Sequence, residues 1–270
     1  MEDTEIKGLV VRETRTGEAD KILTLLTGEM GRITVTGKGA ASLRCRYAPS
    51  AGLFSYSSFM LREKNGYRYI KDADLIESFM GIRYDVERLA LAAYVCDLAA
   101  DMSPESNEDP ELLRLTLNTL YALSERQDVP AAQIKGAYEL KCAVIEWYMP
   151  ELGPCGICGG ELGGPVFLDV MNGTAICDRC AKTVPGHGNG EGVYSFNEFG
   201  EEEERHVLLE ITPDVLSAMR YVVDSGPRRF LSFTLDSYGL LCFSNACEQY
   251  LLHHIGHGYA SLDYYKKVRL

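Results

Sequence analysis

Cys155-Gly156-Ile157-Cys158 and Cys177-Asp178-Arg179-Cys180 are two Cys-x-x-Cys turns separated by 18 residues. Each turn lets two sulfurs converge on one ion, and the pair supplies the four soft ligands of a closed tetrahedral Zn2+ site. Such turns also occur as redox pairs or as unrelated thiols; the ribbon spacing and a hairpin signal between them favour metal. Four protein ligands leave no position for water or substrate. The predicted chemistry is therefore structural: one zinc ion, binding with an apparent energy on the order of 10 kcal/mol, holds a module too small to fold on its own core.

A second set of residues is electrostatic. Between positions 38 and 71, Lys38, Arg44, Arg46, Arg62, Lys64, Arg68 and Lys71 stand against Glu63 alone, a surplus of +6 within a chain of net charge −12. Phosphate binding depends on local potential, so a basic face on an acidic protein is still a footprint for nucleic acid. Tyr67 and Tyr69 lie within it, on one face of a strand, with Arg68 on the other. Their rings can stack on bases or fill a barrel. The expected nucleic-acid-binding set is Lys38, Arg44, Arg46, Arg62, Lys64, Arg68, Tyr67 and Tyr69.

Other constellations fail on spacing. Gly37-Lys38-Gly39 follows a strand, but a phosphate-binding loop needs Gly at position 32, where Arg32 stands, and Ser or Thr at 39. His253 and His257 are spaced as metal ligands on a helix. His254 occupies the place of the zincin glutamate, and Gly256 interrupts the helix. They read as histidines at a helix end, and His187 as a loop residue. With no Gly-x-Ser-x-Gly elbow and no dinucleotide fingerprint, the chain is expected to bind and not to catalyse.

The elements that must position these residues change in type along the chain. Ile6 to Thr14, Ile22 to Thr27, Arg32 to Thr36, Leu53 to Arg62 and Tyr67 to Lys71 read as five short strands, the last two joined across Asn65-Gly66. Five strands without crossover helices predict a small closed barrel, with the OB-fold as leading candidate. From Asp74 the period becomes helical, and an apolar stripe runs from Val86 to Leu98. Further helices are expected from Leu112 to Tyr121, after Pro130, after Thr212-Pro213, and from Asn245 to Ile255. Val166 to Val170 and Thr174 to Ile176, linked at Asn172-Gly173, form the hairpin between the cysteine pairs. Glycines from Gly186 to Gly192 and acids from Glu201 to Glu204 mark a flexible passage.

The expected class is therefore an α+β multidomain protein: barrel at 1–80, helical domain at 81–153, zinc ribbon at 154–182, linker at 183–204 and the rest of the helical domain at 205–270. The 270 residues, 46% hydrophobic, suffice for several cores. Nine cysteines, five of them scattered, suit a reducing compartment. The acidic start and the lack of any long apolar run predict a cytoplasmic protein without a membrane span.

Set in order, several fragments resemble the RecO family of bacterial recombination mediators. They are Lys7-Gly8-Leu9-Val10-Val11, Gly17-Glu18-Ala19-Asp20-Lys21-Ile22-Leu23, Thr27-Gly28-Glu29-Met30-Gly31-Arg32 and Gly37-Lys38-Gly39-Ala40. Tyr138-Glu139-Leu140-Lys141, Met149-Pro150-Glu151-Leu152 and Tyr250-Leu251-Leu252-His253-His254-Ile255-Gly256 are similar to later parts of that family. The resemblance implies an amino-terminal OB-fold and a zinc module inserted in a helical domain. It also implies binding of single- and double-stranded DNA, annealing of complementary strands, and help for RecA in replacing single-stranded DNA-binding protein, usually with RecR. Ala41, Ser42 and Leu43 stand where relatives often carry basic residues, which predicts weaker DNA binding and greater dependence on partners. The alternative is a zinc-ribbon adaptor that does not touch nucleic acid.

Overall fold

Alternation of apolar and polar residues closes the first five strands into a barrel. In the computed structural model, which describes residues 3–42, 44–105, 107–184 and 207–269, the strands are β1 (Asp3–Thr16), β2 (Asp20–Thr27), β3 (Gly31–Gly37), β4 (Tyr56–Lys64) and β5 (Tyr67–Glu77). Their order is β1-β2-β3-β5-β4, returning to β1. Closure depends on β1 serving two neighbours: Asp3 to Leu9 pair with β4, and Gly8 to Thr16 with β2. A register slip between Val10 and Arg12 gives β1 the bend this needs. The seam between β3 and β5 is parallel, at Thr36 and Tyr69. Ile6, Val10, Leu23, Leu25, Ile33, Val35, Phe59, Leu61 and Ile70 point inward as one buried cluster. This is the OB-like barrel that the five-strand pattern predicted.

The helical period expected from Asp74 is not what forms. β5 continues to Glu77, because Asp74, Leu75 and Glu77 pair with Ser58, Ser57 and Tyr56. Leu75 and Ile76 of this strand are exposed. Phe79 then takes a left-handed φ of 46°, and only a 3-10 turn, Met80–Tyr84, precedes the first true helix.

The chain forms two compact units, Met1–Ala131 with Tyr259–Leu270, and Ala132–Gly258. The first adds α1 (Val86–Met102) and α2 (Pro110–Glu125) to the barrel. Asp85 and Asp109 cap them, Asp85 accepting from the N–H groups of Glu87 and Arg88 and Asp109 from that of Leu112. Gly31, at φ 57°, is required where the 103–107 loop crosses the barrel: a Cβ there would lie 2.2 Å from the Pro104 carbonyl oxygen. The unit is completed by α7 (Ala260–Val268), a helix beyond those the sequence pattern predicts. Tyr259 stacks edge-on against Tyr94 of α1 at 5.6 Å and donates to Asp101 at 2.8 Å.

Arg88 fastens α1 to the end of α2. Its guanidinium is buried and donates to the carbonyls of Ala122, Leu123, Arg126 and Val129 at 3.0 to 3.3 Å. These are the orphan acceptors of a helix C-terminus and the turn beyond it. Arg88→Met keeps the apolar stem and strands the carbonyls; it is expected to lower stability by about 2 kcal/mol, read from the urea midpoint. An unchanged midpoint would mean that water replaces the guanidinium.

The second unit contains α3 (Ala131–Ile145), β6 (Val166–Asp169), β7 (Thr174–Cys177), the single turn α4 (Asp178–Ala181), β8 (Leu208–Ile211), α5 (Pro213–Asp224) and α6 (Ser237–Ile255). α6 starts at the Asp236 cap, well before the expected Asn245. β6 and β7 form the expected hairpin, and β8 adds a third strand on the other side of β6, giving the order β7-β6-β8. All four residues of β6 are buried, as a central strand covered on both faces must be. α3 and α6 enclose a charged group: the Lys135 ammonium lies 2.9 Å from the Glu139 carboxylate and 2.8 Å from that of Glu248. Apart from Thr183 and Val184, the expected linker at 183–204, and with it His187, lies outside the described residues.

Candidate metal centre and nucleic-acid interface

Cys155 and Cys158 are set on a tight turn in which Cys155 N–H donates to the Gly160 carbonyl and Gly159 N–H to the Cys155 carbonyl, both at 2.8 Å. Gly156 N–H then pairs with the Ala175 carbonyl of β7 at 3.0 Å, which ties this turn to the strand that delivers Cys177. Arg220 of α5 holds the approach, donating to the carbonyls of Leu152 and Gly153. The four sulfurs lie within 4.8 Å of one another, and those of Cys158 and Cys177 are 3.9 Å apart. Tetrahedral bonds of about 2.3 Å require sulfurs roughly 3.8 Å apart, so the donor set and its spacing fit a metal ion.

The local electrostatics agree with that fit. Burial works against a Cys155 thiolate, but the N–H groups of Cys158, Cys177 and Ile157 outweigh it and hold the thiol down at about 6. Burial, followed by the neighbouring sulfurs, pushes Cys180 up to about 12. Four thiolates in one pocket repel one another without a cation between them, and a bound cation removes that conflict. Cys155 and Cys180 also belong to the core of the module, beside Phe167, Ile176, Ala181 and Val184. The late histidines do something else: His254 Nδ1 lies 2.8 Å from the Tyr250 carbonyl, and its ring is flanked by Tyr148 and Tyr250.

The β4–β5 hairpin positions most of the basic set. Asn65 and Gly66, at φ 53° and 78°, make the two-residue turn their types favour. Arg62 stands opposite Tyr69 and Lys64 opposite Tyr67, so these four share one side of the ribbon. The parallel step from Thr36 to Tyr69 brings the loop after β3 alongside. Tyr47 donates to the Lys38 carbonyl at 2.7 Å and Gly39 N–H donates to Asp20, which fixes that loop. The Lys38 ammonium sits 5.4 Å from the centre of the Tyr69 ring. Lys38, Arg62, Lys64, Asn65, Tyr69, Ile70 and Lys71 line a groove of about 410 Å³.

Other members of the set lie elsewhere. Arg68 stands across from Glu63, and the two share a smaller pocket with Thr4, Ile6, Met30 and Leu61 on the opposite side of the hairpin. Tyr67 is exposed near the hairpin tip, outside the groove. Arg44 and Arg46 are exposed in the loop, and Arg46 makes a two-pronged ion pair with Asp72. Sequence reasoning misses Asp72 and, with it, Asp3. Asp3 faces Arg62 across the β1–β4 pairing, accepting from Arg62 at 2.8 and 3.2 Å and from Lys71 at 2.7 Å. The hydrogen bond from Arg62, then that from Lys71, holds the Asp3 carboxyl well below the usual carboxylate range. Asp72 lies one position beyond the basic stretch and Asp3 far before it; strand pairing brings both back.

Comparison with known proteins covers nearly the whole chain. Residues 1–79 match the family model described as Recombination protein O N terminal, and residues 83–263 match Recombination protein O C terminal. A DNA repair protein RecO of Acetivibrio thermocellus is 27% identical over 268 residues, 99% of this chain and 98% of the relative. The protein of that name in Dehalococcoides mccartyi is 30% identical over 249 residues, 88% of this chain and 97% of its own length. That of Anaeromyxobacter sp. is 32% identical over 188 residues, 68% and 73% of the two chains. Among the described residues, no helix is long and apolar enough to cross a membrane.

Proposed function

The chain belongs to the recombination protein O family, with a role in DNA repair, and from that premise we propose that it is a non-catalytic mediator whose barrel, within residues 1–80, binds DNA. The observation that supports this most directly is the groove beside the β4–β5 hairpin, where Lys38, Arg62, Lys64 and Lys71 surround Tyr69. Barrels of this type take single strands on a basic track with rings for stacking, commonly using the loop between the fourth and fifth strands. Phosphates run past Lys38, Lys64 and the guanidinium of Arg62, and a base stacks on Tyr69. Arg44, Arg46, Arg68 and Tyr67 extend the contact to either side of the groove.

The finer steps of the role are our reading. The protein holds single- and double-stranded DNA, anneals complementary strands and, with RecR, assists RecA onto strands coated by single-stranded DNA-binding protein. None of these steps needs a covalent intermediate. The four cysteines hold one zinc ion, which supplies cross-linking and no reactive position.

Fluorescence anisotropy of a labelled oligonucleotide tests the groove. Wild-type binding is expected to weaken steeply with salt. Lys38→Ala combined with Lys64→Ala is expected to make the log–log slope shallower by about 1.4, or roughly 0.7 for each phosphate no longer neutralised. Tyr69→Ala is expected to weaken binding about tenfold without changing the slope. No binding even at low salt would leave the adaptor reading in its place.

A further inference from the structure

Three of the seven basic residues between positions 38 and 71 are held by acids that the same fold brings to them: Arg62 and Lys71 by Asp3, and Arg46 by Asp72. The Asp3 arrangement is the more pointed of the two. Both of its partners line the groove, and its two oxygens occupy the guanidinium and ammonium much as two oxygens of a phosphate would. Asp3 is the first residue of β1 to pair with β4, and its side chain is about one quarter exposed. Solvent therefore reaches the carboxylate, and an arriving anion can compete for its partners.

Resting on the DNA-binding reading above, we propose that Asp3 is a built-in competitor for phosphate that keeps the groove's grip on a single strand weak and readily released. Each phosphate that engages Arg62 or Lys71 must displace the carboxylate or share its donors. Part of the Coulombic gain is cancelled, and fewer counterions are released. A protein that must surrender a strand to a complementary strand or to a partner benefits from this arrangement. Lys38 and Lys64 have no such acidic partner among the described residues, so they give the groove its uncompensated attraction.

The test compares wild type with Asp3→Asn, a nearly isosteric change that removes the charge, by anisotropy across a salt series. Glu5→Gln serves as the control: it removes the same charge from the same strand, at a residue whose carboxylate accepts from Ser58 and does not touch the groove cations. Asp3→Asn is expected to bind at least threefold more tightly at low salt, with a slope steeper by about 0.7 to 1.4. Glu5→Gln should leave the slope unchanged. In an Arg62→Ala, Lys71→Ala background, Asp3→Asn should change neither affinity nor slope, and a gain that persists there overturns the competitor. Wild-type binding that Asp3→Asn leaves unchanged in affinity and slope overturns the competitor and leaves the DNA-binding reading intact. A gain equalled by Glu5→Gln also overturns it, reducing the effect to net charge. If wild type does not bind even at low salt, both readings fall.

Discussion

Cys177→Ser is expected to abolish stoichiometric metal binding and to unfold the ribbon of the second unit. The loss follows from placement. Cys177 ends β7, its sulfur lies 3.9 Å from that of Cys158, and its N–H points at the Cys155 sulfur from 3.4 Å. A hydroxyl there is a poor ligand for a soft metal ion and leaves three thiols competing in one pocket. Binding worth on the order of 10 kcal/mol then ceases to oppose the chain entropy of the ribbon. The core it shares with Phe167, Ile176 and Val184 is too small to make up the difference. Metal analysis of the purified protein should show less than half of the wild-type metal content, and thermal melting should show an early transition absent from wild type. The barrel, with its separate core, should keep its own transition. A variant with full metal content and a single unchanged melt would refute the four-thiolate site.

The next largest effect is expected from Lys135→Met. The lysine and its two carboxylate partners are almost completely buried, so removing the ammonium leaves Glu139 and Glu248 facing one another inside the helices. Breaking a buried ionic group in this way costs about 3 to 5 kcal/mol. Replacing all three residues by apolar ones is expected to recover part of the loss, since the desolvation of every charge is avoided. Urea titration measures both, and a single variant within about 1 kcal/mol of wild type would show that the carboxylates do not depend on Lys135. The pH dependence has a definite sign. Burial disfavours the ammonium, but Glu139 and Glu248 outweigh it, and the group is held above its ordinary range. Its contribution is thus complete below the unfolded lysine value of about 10.4 and is lost as pH rises through the higher folded value. Stability from this group should stay flat through neutral pH and fall only in strong alkali.

Much of the fold can be read where local chemistry decides it. Asn65-Gly66 fixes the β4–β5 hairpin because few other pairs tolerate two successive positive φ angles, and the cysteine turns carry their ligand geometry within four residues each. The five strands and their closure follow from alternation and from the lack of crossover helices. What local chemistry does not reveal depends on partners distant in sequence. β8 has only four residues, Leu208–Ile211, and is a strand because β6 offers it an edge. From Asp74 the spacing reads as helical, yet the pairing of Asp74, Leu75 and Glu77 with β4 outweighs it. The same holds for charge. A sum over neighbouring positions counts Arg62 as available, whereas Asp3, 59 positions away, is its actual partner. The hairpin's alternation separates Arg68 from Tyr69 correctly, but only the register shows Arg68 beside Glu63.

The first unit is interrupted: it stops at Ala131 and resumes only at Tyr259, with its last helix, α7, at Ala260–Val268. On the ribosome, the barrel and α1 therefore emerge long before α7 is made. During that interval Tyr94 lacks the ring of Tyr259, and Asp101 lacks its hydroxyl. Synthesis at roughly 5 to 20 residues per second makes the delay on the order of ten seconds, ample for a small barrel to close on its own core while the surface of α1 waits uncovered. Nascent chains in that state are the ones most exposed to wrong association, and a release of the chain before residue 259 would make the state permanent.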